Sequence, residues 1–126
     1  METAVDTWFN SSIAGLDTAA ISAGLTPTFF IFEDTLRLDR AGFVGYVAQQ
    51  IASMPGPFTL RYALSEWDTR IEGDVAWTSF RNRGLLTPSQ GNPTNFEWLE
   101  TAILMRVDGR WLIERYHSAP VRRPAP

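Results

Sequence analysis

Apolar residues in the first half of the chain recur with a helical period. Val5, Trp8, Phe9, Ser12, Ile13 and Leu16 fall at i, i+3, i+4, i+7, i+8 and i+11, the stripe of an amphipathic helix with Gly15 near its end. Asp17 is placed to cap a second, short helix through Ala23, and Gly24 supplies a left-handed stop before Thr26-Pro27. Phe29 to Glu33 is aromatic and rich in β-formers, which predicts a short strand. Asp39 then caps a third helix, whose apolar positions Phe43, Val44, Val47, Ile51 and Met54 keep helical spacing until Pro55-Gly56-Pro57 ends it.

From Thr59 onward the period becomes strand-like, with strands predicted at 59–70, 74–84, 97–107 and 110–118. Between the last two, Asp108-Gly109 is the pair that a two-residue type I′ hairpin turn requires, because both central residues need positive φ. Helices first and a meander of antiparallel strands after imply an α+β domain, with helices packed on one face of a curved sheet.

Composition narrows the function classes. With 126 residues, 44% of them hydrophobic, the chain reads as one domain over 1–120, followed by an Arg/Pro-rich tail at 121–126. A net charge of −3 offers no basic footprint for nucleic acid. No cysteine and a single histidine argue against a metal site, and no Gly-rich phosphate loop is present, so no cofactor is expected. The segment METAVDTWFNSSIAG has neither a basic n-region nor a continuous apolar run, and no 18-residue apolar stretch follows. The expectation is a soluble, cytoplasmic protein with no membrane association.

The order of elements, together with ETAILMRVDGRWLIERYHSAP from Glu100 to Pro120, resembles the nuclear transport factor 2-like superfamily. That segment is similar to the Glu-Thr, Asp-Gly-Lys/Arg-Trp and His-x-Ser elements of SnoaL-like proteins and of the calcium/calmodulin-dependent kinase II association domain. Trp8 with Asp17, TFFIFED and Gly73-Asp74 are further points of similarity. The resemblance implies a cone in which three N-terminal helices and a curved, mostly antiparallel sheet enclose one pocket for a small, largely apolar organic molecule. It also implies a homodimer formed through the outer face of the sheet. Chemistry varies across the superfamily, from cofactor-independent isomerases, cyclases and dehydratases to non-catalytic ligand-binding or assembly modules.

Candidate chemistry rests on a few side chains. Glu33 ends the strand TFFIFE and, by the resemblance, matches the proton-abstracting carboxylate of ketosteroid isomerase; on physical grounds, an acid following Phe29 to Phe32 in an apolar pocket has a raised pKa. The alternative is a strand cap or a rim salt bridge. The two oxyanion donors of ketosteroid isomerase match Trp8 and Ala102 or Ile103, so steroid isomerisation is not expected. In the strand from Val75 to Gly84, Trp77, Ser79, Arg81 and Arg83 share one face, which the resemblance places toward the pocket, and Arg83 matches a pocket arginine of the kinase association domain. Trp8, Tyr62, Trp77, Arg83, Glu100 and Arg115 are the candidate substrate-binding residues. The turn-rich segment Leu85 to Asn95 is either a lid or a long hairpin loop.

Unbroken hairpin register from Asp108-Gly109 puts Arg106 opposite Trp111, Leu104 opposite Ile113, Ala102 opposite Arg115 and Glu100 opposite His117. On that register Glu100 orients His117 in the pocket, making His117 a second catalytic candidate beside Glu33; the alternative is a structural hydrogen bond that closes the sheet end. A bulge between 100 and 107 separates the pair.

Overall fold

The computed structural model describes residues 1–122. Helix α1 (Glu2–Thr7) continues as a π-helical segment, Trp8–Ile13, and is followed by α2 (Thr18–Ala23), β1 (Leu25–Glu33), β2 (Leu36–Asp39), α3 (Arg40–Ala52), β3 (Phe58–Glu72), β4 (Val75–Pro88), β5 (Thr94–Val107) and β6 (Arg110–Pro120). The strands form one six-stranded sheet in the order β2-β1-β6-β5-β4-β3. All neighbours are antiparallel except β1 and β6. The three helical segments cover one face, as the 3.6-residue and two-residue periods require.

The capping residues act as the sequence indicates. Asp17 accepts from the Ala20 amide at 3.0 Å and Asp39 from the Gly42 amide at 2.7 Å, each satisfying an orphan N–H of a helix start. The Asp108-Gly109 turn has φ of 51° and 78°, the type I′ requirement. Gly24 differs: its φ is −83°, so it is no left-handed stop, and its role is the close approach of its backbone to Trp8. Strand β1 begins at Leu25, earlier than predicted, because its register against β6 shifts between Leu25 and Phe30 and so accommodates Pro27. The short strand β2 carries too few residues for a period to be read from sequence.

Leu85 to Asn95 is neither a lid nor a long loop. Leu85 and Leu86 pair with Asn95 and Thr94, extending β4 and β5 until only 89–93 connect them. Of the expected tail, residues 123–126 lie outside the described residues. Val121 donates its amide to the Glu97 carbonyl at 2.9 Å, and Arg122 pairs with Asp34.

The core is an aromatic cluster joining helices to sheet. Trp8 stacks on Phe43 at 5.7 Å, and Phe9 meets Phe80 and Tyr116 edge-on or tilted at 6.5 and 5.9 Å. The π-helical widening is marked by the Ala14 amide bonding to the Phe9 carbonyl, and it buries Trp8, Phe9, Ser12 and Ile13 together. Asn10 locks this segment to the sheet edge: its amide group exchanges two hydrogen bonds with the backbone of Tyr62 on β3, at 2.9 and 3.0 Å, as a neighbouring strand would.

Two bulges curve the sheet. One lies in β3 between Ser65 and Asp68, where Glu66 has φ 58°; the other leaves Glu114 of β6 unpaired, since Ile113 faces Leu104 while Arg115 faces Ile103. Glu114 is held there by the Thr26 and Thr28 hydroxyls and the Arg115 guanidinium.

Candidate functional site

Helix α3, the π-helical segment and the concave face of the sheet enclose a cavity of about 240 Å³. Its inner end is formed by Trp8, Phe9, Asn82, Glu100, Tyr116 and Ser118, all buried, and toward solvent it is lined by half-buried Met54, Phe58 and Leu86 and by exposed Gln50. Strand alternation explains which side chains point in. On β4 the inward residues are Ala76, Thr78, Phe80 and Asn82, and Asn82 lines the cavity; on β5 they are Trp98, Glu100, Ala102 and Leu104, and Trp98 and Glu100 line it.

Glu100 is the most deeply buried ionisable carboxyl at the cavity. The Asn82 amide N–H donates to its Oε1 at 2.7 Å. Burial pushes its pKa up, against the opposing pull of Tyr116, Asn82 and Ser118, and the Glu33 charge adds to the rise. Tyr116 lies near enough to act on that charge, although its phenol oxygen makes no well-directed hydrogen bond. Glu33 closes the other side of the cavity at the end of β1, half-buried, and its pKa is raised first by burial and then by Asp34. Tyr62 of β3 packs at 5.0 Å on Phe9 and 6.4 Å from Trp98; burial and the two glutamates push its phenol up to about 12, so it stays protonated and able to donate.

The structure brings together four of the residues singled out in the sequence: Glu33, Glu100, Tyr62 and Trp8. Trp8 presents its ring to the cavity, but its indole N–H is engaged by the Ile21 carbonyl at 3.1 Å and is not directed at a ligand.

The other four lie elsewhere. The Glu114 bulge moves the β6 register by one residue, so Glu100 faces Ser118 and Thr101 faces His117. His117 and Arg115 therefore stand on the outer face, where Arg115 covers the Phe30 ring at 3.9 Å. Trp77 and Arg83 are also on the outer face, opposite to the expectation, because the buried alternation of β4 runs through the even-numbered residues. Arg83 pairs there with Glu97. Asn82, Tyr116 and Ser118 are cavity residues that sequence reasoning missed. For Asn82 the signal was present in the run Ala76, Thr78, Phe80, Asn82, whereas Tyr116 and Ser118 were hidden by the bulge. Among the described residues no three His, Asp or Glu side chains converge as metal ligands, and no helix is long and apolar enough to cross a membrane.

The profile of the SnoaL-like domain matches residues 1–122. Solved structures share the fold. The CamKII hub homology domain of Chlamydomonas reinhardtii is 18% identical with a TM-score of 0.80, the match covering 95% of each chain. ActVI-ORFA from Streptomyces coelicolor is 16% identical with a TM-score of 0.78, over 94% of this chain and 96% of that one. A ketosteroid isomerase-like protein from Erwinia carotovora is 16% identical with a TM-score of 0.73, over 97% and 94%. At these identities the likeness shows the fold alone. No curated protein matches the sequence.

Proposed function

The chain belongs to the SnoaL-like domain family, and from that premise we propose that it is a cofactor-independent acid–base enzyme acting on a small, largely apolar organic molecule by isomerisation, cyclisation or dehydration. The observation that carries this reading is two carboxyls, Glu33 and Glu100, facing one apolar cavity with both pKa values raised. Two titratable groups in different surroundings divide into base and acid. Glu33, nearer solvent, is the base, because partial desolvation strengthens a carboxylate toward a proton on carbon. Glu100, deeper, is the acid. The Asn82 amide occupies Oε1, which leaves the other oxygen to carry the proton.

In the reaction Glu33 takes the proton from a carbon next to a carbonyl. The C–H electron pair becomes the new C=C bond as the carbonyl π pair moves to oxygen, and a donor from Glu100 or Tyr62 stabilises the resulting enolate. Return of the proton from Glu33 to a different carbon completes an isomerisation. Loss of a β-hydroxyl as water, protonated by Glu100, completes a dehydration.

The test is exchange of the α-proton of 2-hydroxy-1-tetralone, a neutral bicyclic ketone that also carries an O–H, with D2O, followed by NMR. The wild type is expected to exceed buffer, and Glu33→Gln to lower the rate by about 10²–10⁴-fold, the range for loss of a positioned base. No exchange above buffer with a panel of mono- and bicyclic ketones with and without a hydroxyl, or unchanged exchange in Glu33→Gln, removes the reading.

A second reading, assembly, has its own support. The outer face carries Trp77, Leu99, Ile103 and Phe32 at 38–50% exposure, and Trp77, Ile103, Arg115 and Phe30 form one continuous row across β4, β5, β6 and β1. Such a patch favours a covering partner. We propose a homodimer formed through this face, which leaves the cavity on the opposite side free for a ligand.

A further inference from the structure

The inner end of the cavity carries an acceptor that the fold does not satisfy. Asn82 is 1% exposed, and its Nδ2 is committed to Glu100 Oε1 at 2.7 Å. Its Oδ1 is buried and has no partner within the protein. Buried polar atoms are nearly always paired, and a binding site that holds one in reserve discriminates strongly between ligands that complete it and ligands that do not. In this arrangement Glu100 accepts from Nδ2, which leaves Oδ1 as the atom for a ligand.

Charge and size restrict the ligand further. The cavity lining contains two carboxyls, Glu33 and Glu100, and no Arg or His, so it offers an anion no counter-charge. Its volume of about 240 Å³ exceeds the ~150 Å³ apolar cavity that accommodates benzene, and leaves room for a second fused ring. Tyr62 and Trp98 supply aromatic walls.

We infer that Asn82 is a specificity-determining residue, selecting neutral, roughly bicyclic ligands that present an O–H or N–H donor to its Oδ1, and that Glu100 is the positioning residue that holds its amide in that sense. The inference rests on reading the cavity as the ligand site, and it adds the direction in which the ligand lies: donor group inward at Asn82, apolar body toward Met54 and Leu86.

The test uses three probes of similar size: 2-naphthol, 2-methylnaphthalene and 2-naphthoate, with binding measured by calorimetry and ligand-observed NMR. Wild type is expected to bind 2-naphthol at least tenfold more tightly than 2-methylnaphthalene, despite the latter's greater hydrophobicity, and to reject 2-naphthoate. Asn82→Leu, which keeps the branched shape and removes the acceptor, is expected to bring the two neutral probes within about twofold of each other. The wild-type comparison stands whether or not the variant folds. Equal binding of the neutral probes to wild type, binding of none of them, preference for the naphthoate, or a donor preference that survives in folded Asn82→Leu would each overturn the inference. Binding is read without turnover, so the two readings fail separately. Donor preference without ketone exchange removes the catalytic reading alone, and donor-blind binding with exchange intact removes this one alone.

Discussion

Gly24 lies flat against Trp8: a Cβ at residue 24 would come within 2.5 Å of the indole Cδ1. The indole is held there by its hydrogen bond to Ile21 and its stacking on Phe43, so it cannot yield cheaply. Gly24→Ala is therefore expected to destabilise the fold by about 1–3 kcal/mol through overpacking, even though the backbone at 24 is right-handed and tolerates a side chain. Urea denaturation measures this. A loss near zero would mean that the indole moves freely.

The same indole sets a second expectation. Trp8→Phe keeps an aromatic ring on Phe43 and removes one of two donors to the Ile21 carbonyl, which still accepts from the Gly24 amide at 3.3 Å, so the expected cost is about 0.5–1.5 kcal/mol for the lost hydrogen bond plus some lost contact. Trp8→Ala opens the core and is expected to cost roughly 3–5 kcal/mol. Both are read from denaturation midpoints at constant m-value.

Stability depends on pH through the buried carboxyls, and the sign differs between them. Glu33 and Glu100 have folded pKa values above the ordinary 4.5, so the folded state holds more protons than the unfolded state. Stability is greatest below 4.5 as far as these two groups are concerned, and falls as pH rises through their folded values. Glu114 has the opposite sign: although burial opposes it, the Thr26 and Thr28 hydroxyls and Arg115 lower its pKa, so its contribution is present above 4.5 and lost as pH falls below it. Denaturation curves between pH 3 and 8 should show a maximum near 4.5 from these groups, and Glu100→Gln should flatten the alkaline side. An alkaline limb equally steep in the variant would show that Glu100 titrates normally.

Gly109 is required for its backbone alone. It has φ 78°, and a Cβ there would meet nothing within 4 Å. Gly109→Ala is expected to cost about 1 kcal/mol, the penalty for a side chain in the left-handed region, with no change in the cavity. Ligand affinity measured beside stability should separate this from a packing effect.

Trp77 and Ile103 stand opposite each other at the centre of the outer face. If that face joins two copies, Trp77→Glu buries a charge in the interface and should convert a dimer to a monomer at micromolar concentration, as read by sedimentation velocity. It should leave α-proton exchange and naphthol binding intact, since the residue faces away from the cavity.

Local chemistry was sufficient wherever neighbours in the chain decide the outcome. Asp17 and Asp39 cap helices whose first amides lie three residues on, Asp108-Gly109 dictates its own turn, and the apolar spacing of Val5 to Leu16 orients a helix whatever it packs against. The sequence also held the apolar cavity wall and its carboxyl at Glu33, since Phe29 to Glu33 alternates on one strand. What the tertiary structure alone decided was phase. Side chains alternate with a period of two, so the one extra residue at Glu114 turned His117 outward and brought Tyr116 and Ser118 in beside Glu100. That bulge is held by Thr26 and Thr28, 88 and 86 residues away along the chain, and no local pattern around Glu114 records them. The inward face of β4 was set in the same way by packing of Phe80 against Trp67 and Phe9, contacts that exist only once the sheet has closed over the helix.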